Sequence, residues 1–323
     1  MPVVVNSNAT ATASSFNLSR ANDALRKSLE RLSTGKRINS AADDAGGLSV
    51  AYKLNSKMNR TSAIIQNSQN ALSYLQVQDS SLSAAGKIVD RMAELRTMAQ
   101  DITKNTGDIE NYSKEFIELQ SQLNQISKEK FNGISLFGAS NATAVAGGVL
   151  NKGTASFGSA QYDTFSRTLT THDSGSTDSG SVSINVINFQ FMLSIHNTAS
   201  GGSSIDLGNI NGSNFTNKGD SEVNSNGYIT DIKEVSVSQF IDIISRIADM
   251  RAENGAEQNR VMQRIDLLQS NLTNIEAAHG RIMDADIALE STRFARHNIL
   301  VQASASMTAQ ANQLSSVALS LIG

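Results

Sequence analysis

Both ends of this chain lack charge and carry an apolar residue at every seventh position. No Asp, Glu, Lys or Arg precedes Arg20, and none follows Arg296. Leu18, Leu25 and Leu32 repeat at seven near the start, as do Leu300, Met307, Leu314 and Leu321 at the finish. A seven-residue repeat draws a stripe down one face of a helix, and the stripe leaves water only against another helix. Ser, Asn, Gln and Thr fill the positions between. The helices are therefore too polar to span a bilayer, and the expected partner is protein rather than membrane. The plainer alternative is that two terminal helices pack on an ordinary core.

Composition narrows the class. A chain of 323 residues has room for two or three domains, but 5% aromatic residues and no Trp leave little bulk for large globular cores. Long helices packed through small side chains fit better. A net charge of −3 implies neither a basic surface for nucleic acid nor a polybasic membrane anchor. Cysteine is absent, which removes disulfides, thiolate catalysis and the commonest zinc sites. The only proline is Pro2, so none interrupts a helix. The opening Met1-Pro-Val-Val-Val has no basic n-region and no long apolar stretch, so no cleaved secretory signal is expected.

Three zones follow one another along the chain. From about Asp44 to Lys104, Leu72, Leu75, Leu82, Val89, Met92 and Ala99 recur at helical spacing, predicting one long amphipathic helix of roughly 90 Å. Gly107-Asp108 is expected to break it, with a second helix from about Ile109 to Lys130. Phe131-Asn-Gly-Ile then supplies a turn or a helix cap. The middle zone, about Ala139 to Val235, is rich in Gly, Ser, Thr and Asn and reads as a small β-rich insertion, a disordered linker being the alternative. Val182, Ile184 and Val186 alternate as a strand does. Phe189, Phe191, Leu193 and Ile195 continue in the opposite phase, predicting a bulge near Ile187 and Asn188.

Helix is expected again from about Ser238 almost to the C-terminus. Val261, Ile265, Leu268, Leu272, Ile275, His279 and Ile282 step by four and three without a miss, a strict heptad seam. The chain thus leaves a helical bundle, makes a β-rich excursion and returns to the same bundle. The fold class is mainly α: a long antiparallel helical bundle or coiled coil built by both chain ends, with a small β-rich central insertion.

The residues of the two helical zones also carry a resemblance. The stretch Leu29-Glu-Arg-Leu-Ser-Thr-Gly-Lys-Arg-Ile-Asn-Ser-Ala-Ala-Asp-Asp-Ala-Gly-Gly-Leu-Ser-Val-Ala is similar to the N-terminal signature of bacterial flagellins. Phe131-Asn-Gly, Asn271-Leu-Thr and Arg281-Ile-Met-Asp-Ala-Asp-Ile-Ala-Leu-Glu resemble the family too, as does the finish from Ile299-Leu-Val-Gln-Ala through Ala309-Gln-Ala-Asn-Gln-Leu to Leu319-Ser-Leu-Ile. The middle zone matches nothing in it.

The resemblance implies three domains: 1–44 with 283–323 as a terminal coiled coil at the filament core, 45–138 with 236–282 as a long-helix bundle, and 139–235 as a variable surface module. It implies a structural subunit without enzymatic activity or cofactor. Such a subunit leaves the cell unfolded through the flagellar type III apparatus, without removal of a signal peptide, and assembles outside it into a helical tube for motility. Implied partners are other copies of the chain, an export chaperone, the filament cap and the hook-junction proteins. Leu18, Leu25, Leu32, Leu300, Met307, Leu314 and Leu321 become the filament-core seam, and Val261, Ile265, Leu268, Leu272, Ile275 and Ile282 the bundle seam. Arg37, Asn39, Asp43 and Asp44 become candidates for inter-subunit or joint contacts. The absence of charge at the ends acquires a reason, because charges crowded at the centre of a tube would be desolvated and repel. Recognition of the family by an animal Toll-like receptor maps onto Arg91, Leu95 and Glu118, although Asp90 and Ala93 depart from the pattern.

Sites of chemistry are sparse. His172, His196, His279 and His297 are scattered, with no HExxH or other metal-ligand spacing, so no metal is expected. That also argues against the metalloprotease-like insertion of some flagellins. Asp43-Asp44 and Asp284-Ala-Asp286 lack a complete calcium loop; Asp43-Asp44 stands just before a long helix, where acids favour the positive end of the dipole. The Asn-X-Ser/Thr triplets at Asn141, Asn211 and Asn214 are of a kind that so Asn- and Ser-rich a chain holds by chance. Two rivals remain: a hook-filament junction protein, whose ends look similar, and an adhesin or hydrolase carried on a helical stalk. The second needs convergent polar side chains in the β-rich zone, and the spacing supplies none.

Overall fold

The computed structural model describes residues 8–138, 151–157, 160–172, 180–195, 205–206, 229 and 231–320. The chain divides into two compact units, Met1–Asn59 with Asn271–Gly323, and Arg60–Ser270. Asn141, His196, Asn211, Asn214 and Leu321 lie outside the described residues.

The first unit is built around α1 (Ala9–Thr34) and α6 (Ile287–Ser320). Asn8 starts α1 by accepting the Ala11 N–H on its side-chain oxygen, satisfying one of the free donors of the first turn. Gly35 ends it in the left-handed region at φ 69°, its N–H donating to the Arg31 carbonyl; a side chain would be strained there. The unit also holds the start of α2 (Ala45–Met98) and the end of α5 (Val237–Met283). The expected unbroken helix from Ser238 onward is therefore two helices. Asp286 divides them, accepting the Ala288 and Leu289 N–H groups as the cap of α6.

In the second unit α2 and α5 run antiparallel, as the bonds from Asn254 to Gln78 and from Arg251 to Asp79 require. Leu75, Leu82, Val89, Met92 and Leu95 of α2 are fully buried, and so are Phe240, Ile243 and Val261 of α5. Between them α3 (Thr106–Ser127) inserts Phe116 and Leu123, with Phe116 edge-on to Phe240 at 6.2 Å. The break before α3 falls at residues 99–105, not at Gly107-Asp108. Asn105 and Asp108 form a capping box in which each side chain takes the other's backbone N–H, so Gly107 lies inside the first turn.

Beyond α3, β1 (Lys130–Phe131) and β2 (Ile134–Ser135) form a hairpin whose turn places Asn132 at φ 50° and Gly133 at φ 79°. Positive φ at both central positions is the tight hairpin geometry that Asn-Gly favours. β3 (Phe137–Gly138), β4 (Asn151–Phe157), β5 (Ala160–Thr170) and β6 (Ser181–Asn188) make a sheet in the order β3-β6-β5-β4, antiparallel except for β3 with β6. The second run of alternating apolar residues is not a bulged continuation of β6. Asn188 takes the Phe191 N–H and turns Phe189–Met192 into one helical turn, α4, burying Phe189, Phe191, Met192 and Leu193 together. A short pair, β7 (Ser194–Ile195) with β8 (Ile205–Asp206), follows.

Side chains of α2 and α3 fasten both ends of this excursion to the helices. Tyr74 and Gln78 donate to the carbonyls of Ser135 and Leu136. Gln120 both donates to the Ile229 carbonyl and accepts its N–H, at 2.9 and 3.0 Å, and Arg96 donates to the Val235 carbonyl.

Candidate assembly interface

The first unit contains the terminal stripes. α1 and α6 run antiparallel, with register set by Asn8 donating to the Ala311 carbonyl and Ser28 to the Glu290 carboxylate. On α1 the shielded positions include Ala11, Ser14, Leu18, Ala21, Leu25, Ser28 and Leu32, spaced by three and four, so the leucine stripe alternates with small residues on one seam. Leu18, Leu25 and Leu32 are half-buried in it.

On α6 the shielded seam is Glu290, Phe294, His297, Val301, Ser304, Thr308 and Ala311. The Leu–Met stripe is not on that seam. Leu300 is 46% exposed, Met307 60% and their neighbour Ile299 66%, so α6 carries a second apolar stripe turned away from α1. Leu314 continues that spacing within the α6 backbone. Phe16 and Leu29 of α1 are also mostly exposed, at 65% and 57%. In this unit the two helices satisfy one seam and leave apolar side chains in water, a pattern that marks contact with other protein.

Polar anchors that spacing did not reveal fix the base of the pair. Glu290, buried in the first turn of α6, accepts from Ser28 at 2.6 Å and Arg293 at 3.2 Å, with Arg31 at 3.9 Å. Burial opposes its charge, but Ser28, Arg293 and Arg31 outweigh it, and the carboxyl lies below its ordinary range. The one sequence signal for it was an acid on the heptad spacing of Phe294 and Val301.

The joint between α1 and α2 answers the joint between α5 and α6. Arg37 N–H donates to the Met283 carbonyl and Ala285 N–H to the Gly35 carbonyl, so the backbones of Lys36 and Asp284 pair as an isolated antiparallel β-bridge. The Arg37 guanidinium donates twice to the Ile282 carbonyl, placing a cation at the C-terminal end of α5, where the helix dipole favours it. Asp43 pairs with Lys27 at 2.5 Å and accepts the Asn39 and Ser40 N–H groups. The Lys27 bond first, and those backbone bonds with it, hold the Asp43 carboxyl down at about 2. Asn39 accepts from Thr34, and Asp44 caps α2 by accepting the Gly47 N–H. All four joint candidates thus make bonds within the chain. Beneath them Ile38, Ala51 and Met283 form a small core with Leu48 and Ile282.

Of the bundle seam, Val261, Ile265 and Leu268 are buried in the second unit, while Leu272, Ile275 and Ile282 are half-buried in the first. His279 is half-buried as well. Among the positions implied for a receptor, Arg91 pairs with Glu94 and Glu115 on the surface and Glu118 is exposed. Leu95 is fully buried and presents nothing to a partner. Among the described residues no group of His, Cys, Asp or Glu is arranged to hold a metal, and no helix is long and apolar enough to cross a membrane.

Comparison with known proteins gives this interface a family. Residues 5–142 match the bacterial flagellin N-terminal helical region and residues 239–322 the bacterial flagellin C-terminal helical region. The chain belongs to the bacterial flagellin family. Flagellin of Bacillus subtilis strain 168 is 30% identical over 96% of each chain. Polar flagellin F of Vibrio parahaemolyticus is 28% identical over the full length of both, and flagellin FlaB2 of Treponema pallidum 29% over 99% of this chain and all of that one. The solved Bacillus cereus flagellin superposes loosely, with a TM-score of 0.39 and 21% identity over 66% of this chain and 94% of that one. The two matched regions take in the helices of both zones together with β1 to β3, and leave residues 143–238, which hold β4 to β8, between them.

Proposed function

We propose that this chain is the structural subunit of a bacterial flagellar filament and works by polymerising, without catalysis or cofactor. The observation that carries the reading is the second apolar stripe of α6, Ile299, Leu300 and Met307, left in water beside a seam already occupied by α1. Copies of the same pair, packed stripe to stripe, are the occupants that shield it. Repetition of a contact that does not close on itself produces an open helical polymer. The terminal pair, 1–44 with 283–323, then forms the filament core, 45–138 with 236–282 the surrounding bundle, and 139–235 the outer module.

Export through the flagellar type III apparatus and residence outside the cell follow from that role, as do an export chaperone, the cap and the hook-junction proteins as partners. Nucleic acid is no partner. Glu118, exposed, and Arg91, half-buried, are the positions open to an animal Toll-like receptor. The hook-filament junction reading is disfavoured because relatives aligned along nearly the whole chain are flagellins. Salting-out of the purified chain followed by electron microscopy tests the proposal. Long filaments of uniform diameter are expected; amorphous precipitate alone contradicts it.

A further inference from the structure

Inside the second unit, away from the terminal pair, α5 lies against an edge of the central sheet. β6 has β5 along one side over residues 181–186, while β3 reaches its other side only at Ile187 and Asn188. Among the described residues no strand covers that outer edge between Ser181 and Val186. Side chains of α5 take the place of one. Both carboxylate oxygens of Glu257 accept the Asn185 N–H at 3.1 Å, and Glu253 accepts from the Asn185 side-chain amide. Arg260 donates to the Ser183 carbonyl, and Arg264 to the Thr171 carbonyl just past β5. Residues 253, 257, 260 and 264 stand on one helical face by their spacing of four, three and four. An unpaired strand edge invites pairing with another chain, and a helix laid over it closes that edge.

We propose that Glu257 is a proton-operated latch that holds the open edge of β6 on α5. Its side chain is only 8% exposed, and the neighbouring cation, Arg260, lies 3.9 Å away and is itself half in solvent. Burial raises the carboxyl to about 7, opposed by the Asn185 N–H and Arg260 and assisted by Glu253. From α2 the Tyr74 hydroxyl faces Glu257 and Arg167 of β5, β6 contributes the neutral Asn185, and Arg264 and His172 stand beside Gly180 at the far end of the contact. Because the docked form holds its proton more tightly than the undocked form, docking is fully supported below the ordinary carboxyl value. That support is lost as pH rises through about 7. A neutral carboxyl still accepts the Asn185 N–H through its carbonyl oxygen, whereas the ionised form must bury a charge with little compensation.

Hydrogen exchange read by mass spectrometry on the full-length monomer, corrected for intrinsic rates, tests the latch between about pH 5.5 and 8.5. Protection of residues 181–188 should fall at least about tenfold across that interval, with its midpoint near neutrality. The buried α3 segment 116–123 serves as an internal reference and stays level. Glu257→Gln, which fixes the neutral state, should keep 181–188 protected throughout. Wild-type protection independent of pH, or a Glu257→Gln variant with the wild-type transition or with no protection at low pH, overturns the proposal.

Discussion

Met307→Asp places a carboxylate on the α6 stripe that α1 leaves uncovered. In the single chain Met307 is 60% exposed, so the substitution there exchanges one solvated side chain for another. The monomer should change by no more than about 0.5 kcal/mol beyond a comparable loss of helix propensity. In a polymer the outcome differs. Fully burying a Met side chain contributes about 1.5 to 3 kcal/mol, so covering the exposed part contributes about 1 to 2 kcal/mol, which the variant forgoes. It must also desolvate a carboxylate or protonate it, at a cost of several kcal/mol. A combined penalty of at least about 3 kcal/mol per subunit raises the critical concentration roughly a hundredfold, at 1.4 kcal/mol per decade. Sedimentation of serial dilutions measures that concentration, while circular dichroism follows unfolding of the monomer. A variant that melts like wild type and polymerises at the wild-type critical concentration would refute the assignment of this stripe to a subunit contact.

The remaining expectations concern contacts within the chain. Glu290→Gln should weaken the terminal helix pair by about 1 to 2 kcal/mol at neutral pH. Because the native carboxyl lies below its ordinary value, the difference from wild type should shrink as pH falls through the carboxylate range, in melts followed by helical signal. Gly47→Ala should destabilise despite replacing glycine in a helix, because the new methyl would stand 2.9 Å from Asp44 Cγ and 3.0 Å from Ile38 Cδ1. The Asp44 cap, worth about 1 kcal/mol, must then move, and thermal melts should record the loss. Gln120→Ala strands the buried N–H and carbonyl of Ile229 and should cost about 2 to 4 kcal/mol in urea denaturation. Deleting residues 139–228 with a flexible linker in their place should harm the bundle less than deleting 139–235, by the same assay. The longer deletion also removes Ile229, Ile232 and Val235 from the core.

The helices were legible where one face alone is apolar. Val261, Ile265 and Leu268 stand on a single seam, and α2 carries a comparable run from Leu75 to Leu95, so periodicity located both. α6 was harder because it has two faces to fill. Its inward seam is made of Glu290, His297, Ser304, Thr308 and Ala311 with only Phe294 and Val301 strongly apolar, while the Leu–Met spacing that reads most clearly marks the outward face. Of the breaks set by side-chain caps, the one before α3 lies a few residues from the expected Gly107-Asp108, and the one between α5 and α6 is absent from the expectation altogether. Asn105 with Asp108, and Asp286, carried the signal, but an uninterrupted apolar period masked it. The turn at Phe189–Met192 failed for a related reason: alternating apolar residues suit a strand, and the Asn188 side-chain bond that bends the chain leaves no trace in hydropathy. Ser28 with Glu290, and Asn185 with Glu257, join residues far apart in sequence, and no local pattern announces such pairs.

Since the chain has no cysteine of its own, a single introduced thiol reports one position without ambiguity. Met307→Cys, labelled with a maleimide before and after salting-out, tests most directly whether other copies cover the outward stripe of α6. The account predicts rapid labelling of the monomer and strong protection in the polymer, with Ser181→Cys on the exposed start of β6 labelled in both. Equal labelling of Met307→Cys in monomer and polymer would contradict it.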